Sequence, residues 1–131
     1  MARLFSREEA EQVLPKIVPL LEELRALKRQ HDEWQAKAEA LQQNTKSNGH
    51  GMDVEASRVT QGQQSTGVQI NGLIEKVRSL GAEVKDIEIG LIDFRSRVRG
   101  REVYLCWKLG EDGIRWWHDL NTGYGSREPL E

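Results

Sequence analysis

Apolar positions recur along the first third of the chain at alternating steps of four and three: Val13, Ile17, Leu20, Leu24, Leu27, Trp34, Ala38 and Leu41, with the polar His31 in step. This is the spacing of a heptad seam on an α-helix. A second series keeps the same stride through Met52, Ala56, Val59, Gln63, Thr66, Ile70, Leu73, Val77 and Leu80. The two series have equal length, and a polar, glycine-containing segment from Asn44 to Gly51 joins them. Together they predict a long antiparallel helical hairpin over residues 6–80, with a mobile loop near residues 44–52. Folding back at the loop sets Trp34 near Val59, Leu24 near Ile70 and Val13 near Leu80. It also sets His31 opposite Gln63, a polar layer of the kind that fixes register. Ser6-Arg7-Glu8-Glu9 reads as a capping box at the start. Proline costs about 3 kcal/mol inside a helix, so Pro15 and Pro19 predict a short helix over 6–14 and a main helix from Pro15 onward.

After Leu80-Gly81 the period changes to two. Residues 83–94 read as a strand broken or bulged at Gly90. Residues 102–109 alternate Val103, Leu105, Trp107 and Leu109 against Tyr104, Cys106 and Lys108, and residues 114–120 alternate Ile114, Trp116, His118 and Leu120 against Arg115, Trp117 and Asp119. Gly110-Glu111-Asp112-Gly113 reads as the hairpin turn between them. The expected fold is α+β: the helical hairpin followed by a small three-stranded antiparallel sheet, one domain over 1–131 with a tryptophan-rich sheet module at 81–131. Six of the eight aromatic residues fall in those last 51 positions, which puts the rigid core there.

Charge changes this picture little. The net charge is −2, and neither half of the chain has a basic excess, which argues against nucleic acid as a partner. No apolar stretch approaches membrane-spanning length, and the N-terminus has no signal-like apolar run. The single cysteine, Cys106, excludes an internal disulfide and suits the cytoplasm. One cysteine and three histidines are too few for a structural zinc site built of Cys and His alone. Two heptad stripes and three sheet tryptophans exceed what the hairpin and sheet can cover, so a homo-oligomer assembled through the helices is expected.

Three constellations carry candidate chemistry. Asp86, Asp93, Glu111 and His118 supply carboxylates and an imidazole that could hold a divalent metal or shuttle a proton; the plainer alternative makes Glu111 a turn residue and His118 a hydrogen-bonded group packed on Trp107. If the apolar faces of the last two strands coincide, His118 points into the core and Cys106 lies on the other face. A thiol–imidazole pair is then split across the sheet. A buried His118 needs a polar partner, with Asp86 and Asp93 the first candidates. Arg95, Arg97, Arg99 and Arg101 at alternate positions predict an anion-binding edge, or a charged strand edge that blocks aggregation.

The run Gly81-x-x-x-Lys85-Asp86-x-x-x-Gly90-Leu91-Ile92-Asp93-Phe94, then Leu105-Cys106-Trp107-x-x-Gly110-Glu111, Trp117-His118, Gly123-Tyr124 and Arg127-x-Pro129-Leu130, resembles a bacterial family of uncharacterised proteins. Phe5-Ser6, Ala10 and Leu14-Pro15 extend the resemblance to the N-terminus. Members sometimes carry the label of division-initiation proteins. The resemblance implies a domain of unknown function whose polar signature is Asp86, Asp93, Glu111, His118 and Arg127. Two functions are therefore in play: a self-associating structural or protein-interaction module, and a small enzyme or metal- or anion-binding protein using that polar cluster. No cofactor is expected beyond a possible divalent metal.

Overall fold

The computed structural model describes residues 3–43 and 50–130, with the backbone alone for 50–52. The expected loop at 44–52 thus lies largely outside the described residues. Two helices, α1 (Arg7–Gln43) and α2 (His50–Ser79), precede an antiparallel meander of β1 (Ala82–Asp86), β2 (Leu91–Val98), β3 (Arg101–Lys108), β4 (Trp116–Asp119) and β5 (Glu128–Pro129). The class is α+β, but the sheet has five strands in the order β1-β2-β3-β4-β5, not three. One added strand comes from the stretch 83–94, which is two strands rather than one. Asp86 Oδ1 accepts from the Glu88 amide at 2.9 Å, and Gly90 has φ +63°, so the chain reverses over 87–90, and of the break or bulge expected at Gly90 it is a break that forms.

The capping box forms as predicted: the Glu9 amide donates to Ser6 Oγ at 3.1 Å and the Ser6 amide to Glu9 Oε1 at 2.9 Å. The prolines do not divide the helix. Pro15 and Pro19 both lie inside α1 and both are exposed, so the rings and the missing amides fall on the solvent side of the helix. The buried stripe of α1 is Ala10, Leu14, Ile17, Leu21, Leu24 and Leu27, broader than the predicted seam and rotated from it. The cause is a second partner. These side chains share one apolar core with Leu73 and Val77 of α2 and with Ile92, Phe94, Leu105 and Trp107 of the sheet. Past Leu27, α1 packs on α2, with Lys28 also reaching Glu88 of the β1–β2 turn at 3.7 Å, and His31, Trp34 and Leu41 are half-buried.

Contacts between the helices run in opposite directions along the chain. His31 Nδ1 lies 2.7 Å from Thr66 Oγ1, while Gln63 Nε2 bonds Gln35 Oε1. The polar layer is therefore His31 with buried Thr66, about one turn away from the expected His31–Gln63 pairing. The Trp34 indole lies against Gly62: a Cβ there would come within 2.2 Å of the ring.

The β3–β4 register also departs from expectation. Tyr104 pairs with His118, Leu105 with Trp117, and Cys106 with Trp116. Residues 110–115 are not a tight hairpin turn. Ile114 enters the core before the strand begins, held by its amide donating to Glu11 Oε2 at 2.9 Å, so its alternation does not continue into β4. Trp117 consequently packs on the core, while Trp116 and His118 share the outer face with Cys106. The arginine run does not form one straight edge either. Arg99 and Gly100, at φ 54° and 79°, make the two-residue turn between β2 and β3. No helix among the described residues is long and apolar enough to cross a membrane.

The helix pairing makes the glycines of α2 separable by experiment. Gly67 and Gly72 have open space where a Cβ would go, so Gly67→Ala and Gly72→Ala should each stabilise the protein by about 1 kcal/mol through helix propensity. Gly62→Ala gains the same propensity but must expel Trp34, and should lower the urea midpoint. Equal responses at all three positions would mean that Trp34 does not pack on Gly62.

Candidate metal centre

The outer face of the sheet, turned away from the helices, carries the polar chemistry. The pleat sends alternate residues of β2 and β3 there, and Asp93 stands directly opposite Cys106, while Cys106 stands opposite Trp116 and Tyr104 opposite His118. His118 is two strands from Asp93 and reaches across β3 to it: His118 Nε2 lies 3.0 Å from Asp93 Oδ2. All three are buried, with relative exposures of 2% for Asp93, 0% for Cys106 and 2% for His118. One potential ligand atom from each lies within 4.8 Å of the others.

The hydrogen bonds assign protons. His118 Nδ1 lies 2.8 Å from the Asp119 carbonyl, which can only accept, so Nδ1 carries a proton. Nε2 then points its remaining site at a carboxylate oxygen. Two bare acceptors at 3.0 Å repel, so a cation, either a proton or a metal ion, must lie between them. Asp93 Oδ1 is buried with no hydrogen-bond partner among the described residues. Burial raises the Asp93 pKa, and the facing His118 offsets this in part. Burial, helped by the Asp93 carboxylate, pushes the Cys106 thiol up to about 12. Such a thiol is not a nucleophile at neutral pH. Although Cys106 and His118 share a face, contrary to expectation, both ring nitrogens are committed elsewhere, and nucleophilic cysteine chemistry finds no base here.

Glu111 and Arg127 adjoin this group. Arg127 Nη1 lies 2.9 Å from Glu111 Oε2 and donates to Oε1 at 3.2 Å; Oε1 also receives the Lys108 amide at 3.0 Å. The guanidinium lies over the rings of Tyr124 and Trp116, at 4.4 and 4.9 Å. Its charge reaches the Cys106 thiol and opposes the upward push of burial. Of the five signature residues, Asp93, Glu111, His118 and Arg127 come together. Asp86 stays apart as an exposed turn cap. His118 packs on Tyr104, with ring centroids 5.4 Å apart, rather than on Trp107.

The proposed anion edge is dispersed. Arg95 pairs with Glu102 at 3.0 Å, Arg101 pairs with Asp119, Arg97 is exposed near the end of β2, and Arg99 occupies the turn. Cys106 is the member that sequence reasoning discarded. Its signal was the polar face Tyr104-x-Cys106 itself, a cysteine alternating with core residues on a strand that also carries two outward polar groups.

A profile of an uncharacterized conserved protein family, DUF2203, matches residues 3–130. No curated protein matches the chain, and no solved structure does.

In the metal-free protein, the raised carboxyl of Asp93 costs stability wherever it is ionised. A carboxyl held above its unfolded value of about 3.9 lowers stability as pH rises through the interval between the two pKa values, and the cost persists above it. Asp93→Asn removes the charge and lets the side-chain amide donate to His118 Nε2. We expect the variant to gain on the order of 1 kcal/mol at pH 7 in chelator, the scale for replacing a buried charge with a neutral group. The gain should fade toward about pH 4. Urea unfolding at both pH values tests this, and a variant that is less stable at pH 7 would contradict it.

Proposed function

We propose that this chain, which belongs to the uncharacterized conserved protein family DUF2203, is a transition-metal-binding protein whose ion is held by Asp93, Cys106 and His118. The observation that carries this reading is the unpartnered Asp93 Oδ1, 98% of that residue's surface being buried, inside a group of three potential ligands. A buried acceptor left without a donor costs roughly 1–3 kcal/mol. A bound cation would remove that cost, ionise Cys106, and take the place of the proton between His118 and Asp93. The Nδ1–H of His118 already donates to a backbone carbonyl, the usual arrangement for a metal-bound imidazole. A tetrahedral ion with bonds of about 2.0–2.3 Å needs its donors about 3.3–3.6 Å apart, within reach of small side-chain rotations. A carboxylate thus completes what cysteine and histidine alone could not. The sulfur selects zinc, cobalt or another borderline-soft ion over magnesium or calcium. A thiolate ligand also suits a reducing cytoplasm.

The test is thermal unfolding of chelator-treated protein with Zn²⁺, Co²⁺ or Mg²⁺. Zn²⁺ and Co²⁺ should raise Tm, by about 2.7 kcal/mol of stability at a hundredfold excess over Kd. Co²⁺ should add a sulfur-to-metal charge-transfer band. Cys106→Ser, His118→Ala and Asp93→Asn should each abolish both effects, and Mg²⁺ should be inert. If neither Zn²⁺ nor Co²⁺ shifts Tm, the reading is wrong.

One observation favours a second role, self-association through the helices as a coiled-coil arm. Val54 and Val68 on α2 are 64% and 71% exposed, and lie two heptads apart on one stripe. Sedimentation at micromolar concentration should show a dimer that Val54→Lys with Val68→Lys dissolves; a monomeric wild type refutes it.

A further inference from the structure

Resting on the metal reading above, we infer that the ion keeps one open coordination position and that a small oxyanion occupies it, with Arg127 holding the anion's second oxygen. The nearby carboxylates are already engaged. Glu111 binds Arg127 and the Lys108 amide, Glu83 accepts from Tyr104 and pairs with Lys85, and Asp119 pairs with Arg101. The Asp119 carbonyl is taken by His118 Nδ1. Among the described residues the ligand group therefore has three members, and three protein ligands on a tetrahedral ion leave the fourth position for an exchangeable ligand.

Arg127 is built to receive that ligand. Its Nη1 is fixed on Glu111, and its plane is held over Trp116, which stands opposite Cys106. Neither Nε nor Nη2 bonds Glu111, and the guanidinium charge reaches the Cys106 thiol. A guanidinium presents paired N–H groups in a plane, a match for the two oxygens of a carboxylate or phosphate. Tyr124, whose ring lies 4.4 Å from the guanidinium, is 39% exposed between the exposed Gly123 and Gly125 and forms the solvent side of this group. An anion bound this way bridges metal and guanidinium. That geometry serves a substrate acid or phosphate ester, and does not serve a neutral ligand.

The test uses cobalt-saturated protein, with sodium acetate and inorganic phosphate as separate probes, read by the visible d–d spectrum. Wild type should show a saturable spectral change with one of the two anions: acetate alone identifies a carboxylate ligand, phosphate alone a phosphate ester. Arg127→Met should weaken that anion by at least about tenfold, the scale of one charged hydrogen bond. Arg127→Lys, which keeps the charge but not the fork, should fall between and guards against loss of folding in the methionine variant. A cobalt spectrum that neither anion alters overturns this inference and leaves the metal reading standing. Equal anion affinity in wild type and both variants overturns the role of Arg127. Absence of any cobalt spectrum overturns the metal reading and this one with it.

Discussion

The pairing of Leu105 with Trp117 across β3 and β4 decides what each face of the sheet can be. Side chains on a strand alternate, so one pairing commits every neighbour. With Leu105 and Trp117 turned toward the helices, Ile92, Phe94 and Trp107 join them in a core closed by Ala10, Leu14 and Ile17. The same phase sends Asp93, Cys106 and His118 to the outer face. A slip of one residue in β4 would expose Trp117's core position to His118 and break the link to Asp93. The apolar core and the polar centre are thus two consequences of one register.

That register shows where the sequence could be read and where it could not. The capping box and the buried positions Ile17, Leu24, Leu27, Val59, Leu73 and Val77 follow from local periodicity, because helical spacing needs no knowledge of the partner. The breadth of the α1 stripe does need it. Ala10, Leu14 and Leu21 are buried because α1 meets two surfaces at its base, and a two-helix expectation has no place for the second. The prolines were misjudged for a related reason: the penalty for a missing amide assumes a dry, crowded turn, whereas Pro15 and Pro19 sit on the wet side. In the sheet the alternation within each strand was legible. The phase between strands was not, because Ile114 is buried outside β4 and carries no pleat into it.

Within the candidate centre, the partner of His118 was legible and its neighbour was not. Placing His118 among buried groups requires a polar partner, and Asp93 supplies it at 3.0 Å. The expected burial came from the wrong face, but the outer face buries His118 as well, so the need for a polar partner held. Excluding Cys106 depended on the face, and failed with it. Asp86 was grouped with the others by residue type and position, but its carboxylate is spent on the amide of its own turn.

Three ionisable groups buried together on the middle strands of a sheet are an expensive way to hold that sheet. Val103, Leu105 and Phe94 show that the same strands accept apolar residues readily on the other face. Side chains of similar volume at Asp93, Cys106 and His118 would avoid the desolvation of a carboxylate and leave no orphan oxygen. The surroundings then add order where stability alone would not ask for it: an Arg127 Nη1 that touches both Glu111 oxygens, two aromatic rings against the guanidinium, and a backbone carbonyl fixing the imidazole tautomer. Such spending on geometry is the pattern of a site whose donors must be held ready for a ligand. The backbone beneath is well chosen for it, since β2 and β3 are paired on both sides and backed by the helix core. The helices therefore serve the centre from behind: they bury the apolar face, and that burial keeps Asp93, Cys106 and His118 aligned on the other.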